Sequence, residues 1–153
     1  MAGETAERTR TIAVPPERVW AVVGDVTRMP EWSEELERVE ILEGDGRAPG
    51  SRFRGHNRSG QRSWAMTCVI DARDEGRNLE FHTEDDEGQV RTRWWYRLDP
   101  VHDGTLVTEG FLRVAKLGRI RAMAERKLLG DRAEYNARNI DASLERLAAL
   151  MED

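Results

Sequence analysis

Hydrophobic positions along this chain change period twice. Thr9 to Val14 alternates weakly and predicts a strand that Pro15-Pro16 stops. Proline suits a first helical position, where its missing N–H has no partner to lose, and Glu17 follows in the first turn, where the helix dipole favours an anion. Val19, Trp20, Val22, Val23 and Val26 then repeat at helical spacing and predict a short helix with a wide apolar face. Gly24-Asp25 weakens its end. Thr27 to Trp32 reads as a second small helical turn with Pro30 inside it.

The period then falls to two. Leu36 to Leu42 alternates, and strands are predicted over Ser51–Arg58, Ser63–Ala72, Asn78–Thr83, Val90–Leu98 (ended by Pro100) and Thr105–Val114. Ser59-Gly60-Gln61, Asp74-Glu75-Gly76, Glu84 to Gly88 and His102-Asp103-Gly104 supply the turns. Six strands in consecutive hairpins imply an antiparallel meander, and the first strand makes seven. From Arg119 to Met151 the period returns to helical, over a length on the order of 50 Å. One heptad line holds Met123, Gly130, Ala137, Leu144 and Met151, and its partner holds Arg126, Ala133, Ile140 and Leu147.

Alternation gives each strand two faces. One carries Phe53, Gly55 and Asn57; Trp64, Met66, Cys68 and Ile70; Leu79, Phe81 and Thr83; Thr92, Trp94, Tyr96 and Leu98; Val107, Glu109 and Phe111. This apolar face needs a cover, and the C-terminal helix is the one on offer. The other carries Arg52, Arg54, His56, Arg58, Glu80, His82, Glu84, Arg91, Arg93, Trp95 and Arg97, and is expected to meet water. Opposite charges on neighbouring strands read as a solvated ladder. The small helix residues Gly130, Ala133 and Ala137 face a sheet rich in aromatics. That mismatch leaves either a cavity or a core in which the large side chains fill the gap.

Composition narrows the class without supplying chemistry. The 153 residues fit one domain, residues 1–153, with about 1–7 as a flexible tail. A net charge of −5 argues against nucleic acid as a partner. No stretch approaches the roughly 18 apolar residues of a membrane span. Met1 to Arg10 lacks the apolar core of a signal peptide. The single cysteine, Cys68, is at home in a reducing cytoplasm, the expected location.

An ordered set of short motifs adds a resemblance. Val14-Pro15-Pro16-Glu17-Arg18-Val19-Trp20 opens it, followed by Asp25-Val26 and Met29-Pro30-Glu31-Trp32-Ser33. Pro49-Gly50-Ser51-Arg52-Phe53, Asn57-Arg58, Trp64, Leu98-Asp99-Pro100, Gly104-Thr105 and Val107-Thr108-Glu109 complete it. Over about residues 8 to 150 the chain resembles the START-like (SRPBCC) superfamily, in its polyketide cyclase/dehydrase-like branch. The resemblance implies an α+β helix-grip fold. In it, a seven-stranded antiparallel sheet wraps around a long C-terminal helix, two short helices follow the first strand, and a ligand cavity lies between sheet and helix. It says little about activity, because members range from lipid carriers to cyclases.

The candidate chemistry is sparse. His56 and His82 point outward by parity and His102 sits in a turn, so all three read as surface residues with no metal-ligand spacing. Cys68 reads as a small buried hydrophobe. There is no G-x-S-x-G, P-loop or G-x-G-x-x-G, and no cofactor or metal is expected. Glu109, between Val107 and Phe111 on the inward face, is the candidate acid or base; its alternative is a structural bond to Tyr96, Asn57 or a Trp N–H. Asn57 could orient a ligand carbonyl or satisfy the nearby hairpin. The resemblance puts Trp32 near the cavity mouth, as a gate or an anchor. Lys127 and Arg126 could bring a cation there or face solvent.

The expected ligand-binding set is therefore Trp32, Phe53, Asn57, Trp64, Met66, Phe81, Trp94, Tyr96, Glu109, Met123, Lys127 and Gly130. The leading reading is a module, monomeric or homodimeric, that binds a small hydrophobic or aromatic ligand. One alternative is a polyketide cyclase/dehydratase-like enzyme using Glu109 as acid/base, with Asn57 or Tyr96 polarising a carbonyl. Another is a protein-interaction domain with a closed core and an outer arginine face.

Overall fold

The structure, a computed structural model, describes residues 4–114 and 132–152. Seven antiparallel strands form one sheet in the order β1-β7-β6-β5-β4-β3-β2. They are β1 (Thr5–Ile12), β2 (Leu36–Glu43), β3 (Arg52–Ser59), β4 (Arg62–Asp74), β5 (Asn78–Glu84), β6 (Val90–Val101) and β7 (Gly104–Arg113). Helix α1 (Pro16–Val23) and a 3-10 helix (Val26–Glu31) follow β1, and the C-terminal helix α2 covers Arg132–Glu152. This is the expected helix-grip architecture. The N-terminal part of the predicted long helix, residues 119–131, lies outside the described residues.

Local chemistry sets the entry to the sheet. Pro16 opens α1 and Glu17 occupies its first turn. At the other end the Trp20 ring lies against Gly24, where an added Cβ would come within 2.5 Å of it. Trp20 Nε1 donates to Glu75 at 2.9 Å, and the Arg73 guanidinium stands 4.9 Å from the centroid of the ring, so α1 is pinned to the β4–β5 turn. The Asp25 carboxylate caps the 3-10 helix by accepting from Thr27 N at 3.0 Å.

Two strand boundaries differ from expectation by three residues or more. β1 begins at Thr5, inside the segment expected to be a flexible tail, because its backbone pairs with β7 from Thr5↔Leu112 onward. β6 runs through Pro100 to Val101 instead of stopping before the proline. The β5 ladder ends at Asn78↔Arg97, so beyond Arg97 β6 has a strand on the β7 side alone, and an edge tolerates a residue with no N–H.

The core lies between the inner face of the sheet, α1 and α2. Ile12, Val19, Val23, Leu79, Val107, Phe111 and Leu147 are fully buried, with Ile140 and Leu144 nearly so. α2 packs mainly on β1 and β7. Ser143 Oγ accepts from Glu34 N at 2.9 Å, the Asn139 amide donates to Glu35, and Arg146 donates to Ser33 O at 2.8 Å. These bonds fasten α2 to the turn that follows the 3-10 helix. Among the described residues no helix is long and apolar enough to cross a membrane.

Candidate functional site

Between the sheet and α2 lies a cavity of about 400 Å³. Most of its sheet wall follows strand parity: Phe53, Gly55 and Asn57 on β3; Arg62, Trp64, Met66 and Cys68 on β4; Phe81 and Thr83 on β5; Thr92, Trp94 and Tyr96 on β6; Glu109 and Arg113 on β7. Trp32 joins them from the end of the 3-10 helix. The structure thus places Trp32, Phe53, Asn57, Trp64, Met66, Phe81, Trp94, Tyr96 and Glu109 around one space. Met123, Lys127 and Gly130, with Arg126, lie outside the described residues.

Aromatic rings shape the wall. Phe53 meets Phe81 edge-on at 5.5 Å between centroids, Phe81 stacks on Tyr96 at 5.9 Å, and Trp32 stands edge-on to Tyr96 at 5.8 Å. Trp32 is 1% exposed, so it anchors its turn to the core while also lining the cavity. The large residues do not close the space against α2.

Glu109 sits opposite Tyr96 across the β6–β7 ladder and is 5% exposed. Burial pushes its carboxyl up to about 8, and the Tyr96 hydroxyl, its hydrogen-bond partner, offsets only part of that. At neutral pH it is mainly the uncharged acid. Burial, followed by the neighbouring Glu109, holds the Tyr96 phenol well above its usual range. Burial also pushes the Cys68 thiol up to about 12, which leaves it protonated and a poor nucleophile.

The raised Glu109 value fixes the sign of a pH effect. In the unfolded chain the carboxyl loses its proton near 4.5, in the native state near 8. Between these values the native state holds more protons, so stability falls as pH rises through the window. Relative to Glu109→Gln, the parent protein is expected to lose on the order of 2 kcal/mol between pH 6 and pH 8.5. Urea unfolding of both proteins at the two pH values measures this. Identical pH dependence in the two would place the native carboxyl at its ordinary value.

The outer face departs from expectation at two residues. His82 is 9% exposed and not a solvated surface histidine: its ring nitrogens lie 2.7 Å from Asp71 and 2.8 Å from Glu84. Asp71 also meets Arg93 at 3.7 Å and Glu84 meets Arg52 at 2.8 Å, so neighbouring side chains crowd over the ring. His82, then Arg52, hold the Glu84 carboxyl below its usual range. Arg91, expected outside, lines the cavity. The pairs Thr83↔Thr92 and Glu84↔Val90 leave it as the extra residue of a β-bulge, which re-aims its side chain. His56 keeps its outward place beside Arg38 and Glu40, and His102 is exposed.

The sequence reading also passed over the helix wall of the cavity. Asn136, Asn139, Ile140 and Ser143 line it from α2. The signal was present as polar residues three and four apart beside the apolar heptad lines.

Comparison with known proteins places this geometry. The family model described as polyketide cyclase / dehydrase and lipid transport matches residues 4–152. No curated protein sequence matches the chain. Among solved structures, the Zhui aromatase/cyclase from Streptomyces sp. R1128 is similar at 22% identity and a TM-score of 0.74, over 97% of this chain and 93% of that one. The protein TTHA0849 from Thermus thermophilus is similar at 18% identity and a TM-score of 0.72, over 95% and 94%. The Polyketide_cyc-like protein Cgl2372 from Corynebacterium glutamicum reaches 26% identity with a TM-score of 0.57, over 97% and 90%.

Proposed function

The chain belongs to the polyketide cyclase/dehydrase and lipid-transport family, and from that premise we propose that it binds a small apolar or aromatic ligand between the sheet and α2. The observation that carries this reading is the aromatic-walled cavity of about 400 Å³, a volume in the range of small-molecule sites. Phe53, Phe81, Trp94 and Tyr96 offer ring faces and edges to a flat ligand, while Asn57 and the helix amides supply a few oriented polar contacts. A closed-core interaction domain would lack such a space. The test is native mass spectrometry of the purified protein, followed by titration with the neutral dye N-phenyl-1-naphthylamine. Neither co-purified ligand nor dye uptake would overturn the reading.

A second reading is favoured by one observation, the Glu109 carboxyl raised to about 8 beside Tyr96. An acid that is mostly protonated at neutral pH can donate a proton to a ligand oxygen and take one back, as a cyclase or dehydratase requires. In that case Glu109→Gln eliminates turnover and leaves binding nearly intact. If the protein only binds, the same change alters affinity by about 1 kcal/mol, the scale of one net hydrogen bond.

A further inference from the structure

The outer face of the sheet holds a connected polar network that the cavity does not use. His82 lies at its centre, 9% exposed. Its Nδ1 stands 2.7 and 2.8 Å from the two oxygens of Asp71 on β4, and its Nε2 stands 2.8 Å from Oε2 of Glu84 on its own strand. The other Glu84 oxygen accepts from Arg52 on β3 at 2.8 Å. Asp71 also meets Arg93 on β6 at 3.7 Å, and Arg93 is the cross-strand partner of His82. Of the other charged groups nearby on this face, Glu80 accepts from the Asn78 amide and Arg54 donates to Thr67. One chain of contacts thus crosses four strands, from Arg52 through Glu84, His82 and Asp71 to Arg93.

Strand β5 is bordered by two bulges, and the network reaches both. On the β4 side the residue without a partner is Asp71, between Ile70↔Phe81 and Ala72↔Glu80. On the β6 side it is Arg91, between Thr83↔Thr92 and Glu84↔Val90. At a bulge the ladder is locally broken, so side-chain contacts help set where the extra residue points. The extra residue on β6 is the one that turns into the cavity.

We propose that His82 is a pH-sensitive clamp on these bulges, through which the charge of a ring on the outer face sets the placement of Arg91 on the inner face. The proposal does not depend on what the cavity binds.

Counting donors carries it. Neutral imidazole has one N–H and imidazolium has two. Both ring nitrogens face carboxylate oxygens, so both contacts are hydrogen bonds only while the ring holds both protons. Loss of the Nε2 proton sets a nitrogen lone pair against a carboxylate oxygen at 2.8 Å, in a place water hardly reaches. Asp71 takes Nδ1 with both oxygens and keeps the remaining proton. Glu84 has Arg52 as a second partner and is the carboxylate released. The same two neighbours, His82 first and then Arg52, hold the Glu84 carboxyl below its ordinary range. As pH rises through the titration of the ring, Glu84 moves toward Arg52. The Glu84↔Val90 pair, the last rung of the β5–β6 ladder and the one next to Arg91, loosens with it.

The test is NMR of the His82 ring nitrogens and the backbone amides between about pH 5 and pH 9, a span that covers histidine titration. At low pH both ring nitrogens are expected to carry protons; at high pH the proton is expected on Nδ1, with Nε2 bare. The Val90 and Arg91 amides should move with the same midpoint as the ring. That titration should vanish from both amides in His82→Gln. It should also vanish in Glu84→Gln, whose side-chain amide accepts or donates by flipping, while the ring still titrates. Buried substitutions can unfold a chain, so the parent spectra also decide alone. A neutral ring protonated on Nε2, a ring that keeps one charge over the whole range, or an Arg91 amide that stays still while the ring titrates overturns the proposal. So does an Arg91 titration that persists in His82→Gln. None of these results touches the ligand-binding reading.

Discussion

Leu144→Ala is expected to lower the free energy of unfolding by about 2–5 kcal/mol, the range for buried leucines truncated in a packed core. Leu144 is 2% exposed and stands on the same face of α2 as Ile140, Leu147 and Ala148, all buried. That face bears on β1 and β7. Truncation removes apolar area from the seam that holds helix to sheet, and the flanking strands are tied into a seven-stranded ladder that cannot close up around the gap. Urea denaturation followed by far-UV circular dichroism gives the number. A loss below about 0.5 kcal/mol, typical of surface positions, would mean that α2 does not pack as described.

The second large effect concerns the cavity. Thr83 and Thr92 are cross-strand partners at the middle of its sheet wall. Replacing both by phenylalanine keeps strand-compatible residues on β5 and β6 and fills much of the space. A ligand shut out of roughly 100 Å² of apolar contact loses about 2.5 kcal/mol, close to a hundredfold in affinity. Uptake of N-phenyl-1-naphthylamine by the double variant is therefore expected to fall about a hundredfold, with the circular dichroism spectrum of the parent retained. Unchanged uptake would move the dye, and with it the proposed ligand site, to another part of the molecule.

How much of this was legible in the sequence depends on the range of the interaction. Alternation along a strand is local, and it placed Phe53, Trp64, Met66, Phe81, Trp94, Tyr96 and Glu109 on one face. The inward carboxylate at Glu109 followed from the same parity, because Val107 and Phe111 on either side had to be buried. Pro15-Pro16 ended the first strand and opened the first short helix through backbone chemistry confined to a few residues. Resemblance in a series of short motifs then joined these elements into a helix-grip fold, which the structure bears out.

Other features required neighbours that sequence does not place side by side. Arg91 reached the cavity because a bulge opposite Glu84 breaks the alternation on which its outward assignment rested. His82 was buried on the face expected to meet water, since Asp71 from β4 and Glu84 from its own strand close on it from two sides. Asn136, Asn139 and Ser143 joined the site through the angle at which α2 crosses the sheet, which heptad spacing leaves open.

By itself, then, the sequence determined the elements, their faces and the burial of Glu109, because covalent period and local sterics act over a few residues. Tertiary structure alone decided that a space of about 400 Å³ remains between the aromatic wall and α2. It also decided that one oxygen of the Glu109 carboxyl and the Trp32 N–H are buried without a hydrogen-bond partner. Packing and desolvation sum over side chains from distant parts of the chain, and their result exists only once those side chains have been brought together.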